Sequence, residues 1–366
     1  MKTITWKQVA AWRARRHGLH TLRPATEALD VASSLCGVHA QLMSSAGLTL
    51  HARLDGFSAA EVDRLLWQDR ALVKTWSMRG TLHLLPAAEY SLWQAGLNTY
   101  EHYRKPVWLR NFHITVEEQD RLLDAVHAAL DGQVLTRERL ADEAARLSGD
   151  PGIGDRLRES WGAHLKPASF QGKLVFGPNE GQKVSFARPD QWLPAQEAPA
   201  EPLREIALRF LNVHGPATRE DFARWWGVTP VEGAKILAGI EAEQASLDGQ
   251  TWWVADLSGL LDAEPVRGVR LLPAFDQYVV AATRHAQHFL RGGSTGLIYR
   301  PQGWLSAVVV VDGMFAGIWR HQRKGKRLVV EVEPFKALSV KARKGVEAEG
   351  DRLADHLGGM PELVWG

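Results

Sequence analysis

The chain has 366 residues, of which 45% are hydrophobic and 23% are charged, and its 44 basic and 42 acidic residues leave a net charge of only +2. This composition excludes an intrinsically disordered chain, and the balanced charge gives no whole-molecule field that would attract a polyanion. The single cysteine, Cys36, excludes an internal disulfide and a cysteine-rich zinc or iron–sulfur site.

The N-terminal residues lack the apolar core of a signal peptide, and no stretch of the sequence is apolar over the length needed to span a bilayer. We therefore expect a cytoplasmic protein with no membrane partner. The length exceeds what one hydrophobic core usually covers, so the chain is expected to contain two to four modules.

One pattern occurs three times along the first 254 residues: helices with apolar residues at 3.6-residue spacing, then two short strands joined by a polar turn. The first copy has predicted helices at 6–16, 24–38 and 58–69 and predicted strands at 72–76 and 81–85. The second has helices at 116–129, 136–147 and 156–164 and strands at 173–176 and 182–186. The third has helices at 203–213, 218–226 and 231–240 and strands at 245–247 and 251–254.

Three helices followed by a two-stranded wing are typical of a winged-helix module, whose recognition helix suits the major groove of DNA. We predict an α+β fold, mainly α, with tandem winged-helix modules at 1–112, 113–196 and 197–258. Winged helices also serve as protein-interaction scaffolds, and the pattern alone leaves that alternative open.

Residues 259–366 are richer in predicted strands and are expected to form a small C-terminal β-barrel closed by an amphipathic helix at 339–357. The predicted strands lie at 270–272, 277–280, 307–311, 315–319 and 327–331, with Asp312-Gly313 as a hairpin turn. The last hairpin carries a basic cluster: Arg320, Arg323, Lys324, Lys326 and Arg327. A charge run is usually a solvated loop, but next to DNA-binding modules these residues become candidates for phosphate contact.

The segment His39-Ala40-Gln41 carries the clearest indication of chemistry, at the predicted end of a helix. In extended chain the side chains at i and i+2 point the same way, so the imidazole and the amide could hold one water molecule between them. A histidine and a glutamine at a helix C-terminus can also simply cap free carbonyls. Ser44 follows closely and could touch a phosphate or cap the next helix.

Neither a lysine nucleophile nor a metal is indicated near this triplet. The nearest downstream lysine is Lys74, so hydrolysis by water is favoured over Schiff-base chemistry. The fourteen histidines show no ligand spacing such as His-Glu-x-x-His, and we expect no metal and no cofactor.

Three segments in chain order resemble the bacterial winged-helix DNA glycosylases of the AlkZ-like, azinomycin-resistance type. They are Val38-His39-Ala40-Gln41, Arg79-Gly80-Thr81-Leu82-His83-Leu84 and Leu271-Leu272-Pro273-Ala274-Phe275-Asp276-Gln277-Tyr278-Val279. The resemblance runs from about residue 5 to the C-terminus. It implies three winged helices plus a β-barrel in a C-shaped molecule whose concave face holds double-stranded DNA.

The catalytic Gln-x-Gln or Gln-x-Asp triplet of that family corresponds to His39-Ala40-Gln41, with Gln41 matching the second glutamine and His39 departing from the first. A His-x-Gln branch implies self-resistance to bulky intercalating alkylators of the pluramycin (hedamycin-like) class. The implied activity is monofunctional hydrolysis of the N-glycosidic bond of alkylated purines, such as N7-alkylguanine, which leaves an abasic site. His39 is expected to act as a neutral base or water anchor, and Gln41 to orient the water or the sugar.

Further candidates for DNA contact are Arg79 at the first wing and the basic residues Arg284 and Arg291. Arg79 could equally be a plain wing-tip residue, with His83 a packed strand residue. Asp276 and Tyr278 could line a cleft, although a buried aspartate that accepts hydrogen bonds from backbone amides is the simpler interpretation.

Two other classes of protein share much of this pattern. A winged-helix transcription regulator typically dimerises to read two half-sites, whereas three wings and a barrel in one chain favour a monomer. A non-catalytic protein that sequesters the drug or its adduct would share every feature except turnover.

Overall fold

The computed structural model describes residues 1–159 and 162–366. These residues form two compact units, which are considered separately: unit 1 contains Met1–Val62 and Ala207–Gly366, and unit 2 contains Asp63–Ile206. Among the described residues, the helices are all too short or too polar to cross a membrane.

The first segment of unit 1 begins with a well-capped helix. Thr5 and Gln8 exchange hydrogen bonds in a capping box, so the helix predicted at 6–16 is confirmed. The helix predicted at 24–38 is shorter than expected, because the chain leaves the helical conformation after Leu35. The elements that begin in this segment are β1 (Lys2–Thr3), α1 (Trp6–Arg16), β2 (Arg23–Pro24), α2 (Ala28–Ser34), β3 (Val38–His39), α3 (Met43–His51), β4 (Leu54–Asp55) and α4 (Ala59–Asp63).

Unit 2 contains two of the predicted strand pairs and the helices between them. Its elements are β5 (Leu72–Trp76), β6 (Leu82–Pro86), α5 (Tyr90–Leu97), α6 (Pro106–Asn111), α7 (Val116–Ala129), β7 (Leu135–Thr136), α8 (Arg137–Ser148), α9 (Pro151–Glu159), α10 (Lys166–Phe170), β8 (Val175–Glu180), β9 (Lys183–Ala187) and α11 (Pro189–Trp192). β5 and β6 form an antiparallel hairpin, and β7, β9 and β8 form a sheet in that order. The helix predicted at 156–164 starts earlier, at Pro151, and positions 160–161 of that prediction lie outside the described residues.

The chain then forms α12 (Pro202–His214), α13 (Arg219–Trp226), α14 (Pro230–Ala238), β10 (Glu243–Leu247), β11 (Gln250–Val254) and α15 (Leu257–Leu261). Capping boxes at Thr218 and Thr229 start α13 and α14. β10 and β11 form the predicted hairpin, and β1 adds a parallel third strand with Lys2 opposite Ala245.

The C-terminal part of unit 1 is an open sheet rather than the predicted barrel. Its elements are β12 (Val269–Leu272), α16 (Gln277–Ala282), α17 (Thr295–Ile298), β13 (Val308–Val311), β14 (Met314–Lys324), β15 (Arg327–Pro334), α18 (Val340–Leu357) and β16 (Met360–Trp365). The five strands pair in the order β12-β13-β14-β15-β16, so in the described residues β12 and β16 are the edges of the sheet and no barrel closes.

The reason for the open sheet is that both faces are already covered. Alternate residues of β13 belong to two different cores: Val308 and Val310 pack with Tyr278 and Phe315, whereas Val309 packs with residues of α18. α18 is the crossover between the parallel strands β15 and β16, and such a helix covers a sheet face without closure.

The strand predicted at 277–280 is also wrong, because these residues begin α16. The Asp276 side chain accepts a hydrogen bond from the backbone N–H of Tyr278 and caps the helix. A short apolar run is compatible with a buried strand or a buried helix, and here the cap decides the outcome.

Candidate active site

The segment that carries the triplet is shaped by the end of α2. The N–H groups of Cys36 and Gly37 donate to the carbonyl oxygens of Ser33 and Ala32, both at 2.9 Å, which is the bond pair of a Schellman motif. Cys36 takes the left-handed conformation that glycine usually occupies there, with φ of 58°. Backbone groups therefore cap this helix end, so the capping alternative for His39 and Gln41 is not required.

After the Schellman turn the chain is extended through β3 and enters α3 at Met43. His39 is buried, with 6% of its surface exposed, whereas Gln41 is exposed. Ser44 is an exposed residue in the first turn of α3, where backbone N–H groups are available to an anion. The triplet thus presents one buried ring and one exposed amide just before a helix N-terminus.

The third sequence motif lies directly against the triplet. The ring of Phe275 stacks on the ring of His39, with centroids 5.1 Å apart and planes at 7°. The buried Gln277 donates from Nε2 to the carbonyl oxygen of Gly37 at 2.6 Å. Two of the motifs that carried the family resemblance are therefore in direct contact through His39 and Phe275, and Gln277 extends the contact to the residue just before the first motif.

A buried ion pair holds the second of these segments. Arg53, 1% exposed, donates to both carboxylate oxygens of Asp276, which is 0% exposed, at 2.8 and 2.9 Å. Arg53 also donates to the carbonyl oxygens of His17 and Thr49. The sequence interpretation of Asp276 as a buried structural acceptor is thus the one that matches its position.

Neighbouring buried groups are held neutral. Burial lowers the pKa of His17 well below its ordinary value, and the nearby His214 and Arg53 lower it further. Burial raises the pKa of Tyr278, whose hydroxyl donates to the carbonyl oxygen of Gly313 at 2.6 Å. His17 and Tyr278 are therefore both neutral at neutral pH.

The predicted phosphate contacts Arg284 and Arg291 each have a carboxylate partner. Arg284 donates to Asp221 at 2.8 Å, and Arg291 donates to Asp312 at 3.0 Å. Burial alone would raise the pKa of Asp221, but its hydrogen bond with His285 and the charge of that ring outweigh burial and keep the pKa well below its ordinary value. A phosphate would have to compete with these anions for the two guanidinium groups.

The basic cluster lies on the hairpin of β14 and β15, as predicted, and all its members are exposed: Arg320, Arg323, Lys324, Lys326 and Arg327. The arginines have local partners, because Arg320 pairs with Glu331, Arg327 pairs with Glu362, and Arg323 donates to the carbonyl oxygen of Leu357. Lys324 and Lys326 flank the turn at Gly325 and are the more available charges.

Arg79 and His83 belong to unit 2. Arg79 lies in the turn between β5 and β6 and has a positive φ of 57°. His83 is a buried residue of β6 whose Nδ1 lies 3.1 Å from the carbonyl oxygen of Thr81. These are the positions expected if Arg79 is a plain wing-tip residue and His83 is a packed strand residue.

The sequence motifs did not indicate that Arg53, Phe275 and Gln277 are parts of the site. Phe275 and Gln277 were within a recognised motif, but their contact with residues 37–39 spans more than 230 positions of sequence. Arg53 carries no local signal at all. Within residues 1–159 and 162–366, no group of three or more His, Cys, Asp or Glu side chains is arranged to hold a metal ion.

Comparisons with known proteins agree with the fold and with the family resemblance of the motifs. A family model described as DNA glycosylase AlkZ-like matches residues 32–356. An interstrand DNA cross-link repair glycosylase of Streptomyces sahachiroi is 33% identical over 361 residues, which cover 96% of each chain. The solved structure of the Streptomyces sahachiroi DNA glycosylase AlkZ matches with a TM-score of 0.86 over 100% of both chains.

A full-length match in sequence and in fold defines the protein as a DNA glycosylase, a repair enzyme whose partner is DNA. The chain belongs to the AlkZ-like DNA glycosylase family. The resemblance seen in the three sequence motifs is confirmed.

Proposed function

We propose that this glycosylase excises alkylated purines, N7-alkylguanine above all, and that His39 and Gln41 are its catalytic residues. The observation that carries the proposal is the position of the triplet: a buried histidine at the end of β3, stacked on Phe275, and an exposed glutamine at the bend between β3 and α3. This chemistry is also suggested by the name of the Streptomyces sahachiroi relative, which repairs interstrand DNA cross-links.

The reaction is hydrolysis by one water molecule. A purine alkylated at N7 is cationic, so the bond between C1′ and N9 breaks with its electron pair going to the base, and positive charge develops on the sugar. Water adds to C1′ and gives up a proton, which neutral His39 accepts. A protonated His39 would repel the developing cation. The amide of Gln41 orients the water or the sugar edge, since it cannot take a proton at neutral pH.

The products are a free modified base and an abasic site in an unbroken strand. The exposed position of Gln41 and Ser44 favours a lesion that remains accessible from solvent, such as a bulky intercalator adduct, over a base that is flipped into a tight pocket. Such an activity serves general DNA repair or self-resistance of an antibiotic producer.

DNA binding is proposed to use the helix-and-hairpin modules at 1–112, 113–196 and 197–258 as winged helices, together with the β14–β15 hairpin. Ser44, Arg79, Arg284, Arg291 and the basic cluster of that hairpin are the proposed phosphate contacts. We propose that one chain acts alone, because a lesion is a single site without the two-fold symmetry that half-sites impose.

The test uses duplex DNA treated with an N7-alkylating agent, of the simple or the pluramycin type, and measures alkali-labile sites and released base. His39→Ala and Gln41→Ala are each expected to lower excision about 100-fold while DNA affinity stays near wild type. The exposed Gln287 provides a matched control, since Gln287→Ala should excise normally. Normal excision by both site variants would show that the triplet is structural, and no excision of any N3 or N7 adduct at stoichiometric enzyme would refute the proposed substrate class.

A further inference from the structure

Three aromatic rings of unit 1 form a continuous stack that begins at His39. Phe275 lies parallel to the imidazole, and Trp304 meets the ring of Phe275 edge-on, with centroids 5.2 Å apart and planes at 78°. His39 is buried, Phe275 is half-buried, and Trp304 is 46% exposed. The stack therefore leads from the buried histidine to the protein surface.

Phe275 is held in a conformation that bulky residues avoid. Its φ of 62° lies in the left-handed region. This conformation costs a phenylalanine free energy, which contacts of the neighbouring residues must offset. The next two residues supply that restraint: Asp276 pairs with Arg53, and Gln277 bonds to Gly37. Strain kept in place by two buried anchors is characteristic of functional sites.

A parallel ring contact has a specific effect on a histidine. It restricts rotation of the imidazole about χ2, an angle that otherwise takes a broad range of values in histidine. The directions of both ring nitrogens are thereby fixed. General-base catalysis depends on that direction, because the proton acceptor must lie within hydrogen-bond reach of the water.

We propose that Phe275 is the positioning residue of His39, and that Trp304, the exposed end of the same stack, binds a flat aromatic ring of the substrate. That ring belongs either to a base next to the lesion or to the polycyclic part of an adduct, since both offer a π-face to an indole. The proposal rests on the catalytic role of His39 proposed above.

The test of Phe275 separates its ring from its bulk. Phe275→Leu is expected to lower single-turnover excision of N7-methylguanine about 10- to 100-fold without changing DNA affinity, because the misdirected base affects only the chemical step. Phe275→Tyr keeps the ring and should stay within about threefold of wild type. Phe335→Leu is the matched control, since Phe335 is another half-buried phenylalanine of unit 1. A wild-type rate for Phe275→Leu, or an equal loss for Phe275→Tyr, would overturn the positioning role.

An NMR measurement tests the contact between Phe275 and His39 without relying on catalysis. The NMR signals of the His39 ring, assigned by their loss in His39→Ala, should shift in Phe275→Leu because the ring current of the stacked phenyl is removed, and should stay in place in Phe335→Leu. If His39→Ala excises normally while this shift is present, the catalytic proposal fails and the stack is structural. If His39→Ala is inactive and the shift is absent, the catalytic proposal stands and the positioning role fails.

Trp304→Leu is tested on two duplexes, one with N7-methylguanine and one with a polycyclic N7 adduct. Loss of stacking should lower affinity or excision by about fivefold or more. A loss confined to the polycyclic adduct would identify the adduct as the bound ring, and an equal loss with both duplexes would identify a neighbouring base. Trp365→Leu, on the C-terminal strand, is the control. No change with either duplex would overturn the role of Trp304.

Discussion

The ion pair between Arg53 and Asp276 holds the segment that contacts His39, and its removal gives the sharpest test of how the site is built. The pair is bidentate, at 2.8 and 2.9 Å, and both side chains are at most 1% exposed. Asp276→Ala would leave the Arg53 guanidinium buried with two of its N–H groups unmatched. It would also remove the cap of α16, since Asp276 accepts from Tyr278.

An unpaired charge left in the interior costs about 3–5 kcal/mol, and the loss of a helix cap costs about 0.5–2 kcal/mol. The two costs share one carboxylate and do not add fully, so we expect the free energy of unfolding of unit 1 to fall by about 4 kcal/mol. Asp276→Asn keeps an acceptor for the cap but still leaves the charge of Arg53 unpaired, so it should lose most of this free energy, about 3 kcal/mol.

The assay is denaturation in urea, followed by a signal from the tryptophans, with Glu143→Ala as the control for an exposed pair. Glu143 pairs with the exposed Arg146 on α8, and its removal should leave the urea midpoint close to that of the wild type. The double variant Arg53→Met, Asp276→Asn leaves no charge buried and should be more stable than Asp276→Ala. A loss below about 1 kcal/mol for Asp276→Ala would refute the reasoning, because a buried cation cannot lose its partner at so little cost.

Three further predictions concern pH, charge and packing. Burial, with the nearby His356 and Arg352, lowers the pKa of His51 from 6.5 to about 3. Between these values the unfolded chain binds a proton that the folded chain does not, so stability should fall as the pH drops from 6.5 toward 3, and the urea midpoint should fall less steeply in His51→Gln. Replacing Lys324 and Lys326 by glutamate should weaken DNA binding. The slope of log K against the logarithm of the salt concentration should become shallower by about 1.8, since each lost phosphate contact contributes about 0.9. On α18, Gly345→Ala should destabilise the fold by about 1–3 kcal/mol, as measured by urea denaturation, because its Cβ would lie 2.5 Å from Val269.

Each of these predictions has a control on the same chain. For His51 the control is the range above about pH 8, where folded and unfolded chains both leave this ring unprotonated, so wild type and His51→Gln should show the same slope of stability against pH. Lys341→Glu with Lys344→Glu changes the same number of exposed charges on α18. An equal loss of salt dependence in that variant would contradict a specific contact between the hairpin and DNA phosphates. Gly350→Ala, whose Cβ would have its nearest neighbour at 3.9 Å, should be neutral or stabilising, and an equal loss at both glycines would contradict the packing argument.

The sequence predicted best those elements whose signals are local. The capping box of Thr5 and Gln8 starts α1 where it was expected, and the Asp312-Gly313 turn joins β13 to β14. The apolar run after Asp276 was assigned to a strand, because a buried strand and a buried helix look alike over so few residues. The prediction of a barrel was wrong because sheet closure depends on what covers each face of the sheet. The sequence of the strands does not indicate where α18 will pack.

The prediction of a site at His39 and Gln41 rests on local signals, because their spacing and the family motif both lie within three residues. The contacts that hold the site are long-range: Arg53 meets Asp276 across 223 positions, and Gln277 meets Gly37 across 240. No local pattern indicates that a given arginine will be buried against a given aspartate. The stack of His39, Phe275 and Trp304 could not be foreseen for the same reason.

In the proposed mechanism, His39 removes the proton from the water that hydrolyses an alkylated purine. Release of free N7-alkylguanine from duplex DNA, measured by mass spectrometry under single-turnover conditions with a no-enzyme control for spontaneous loss, tests it most directly. We expect rapid release by the wild-type enzyme and by Gln287→Ala, and release about 100-fold slower by His39→Ala with DNA affinity retained. Equal rates for wild type and His39→Ala would contradict it.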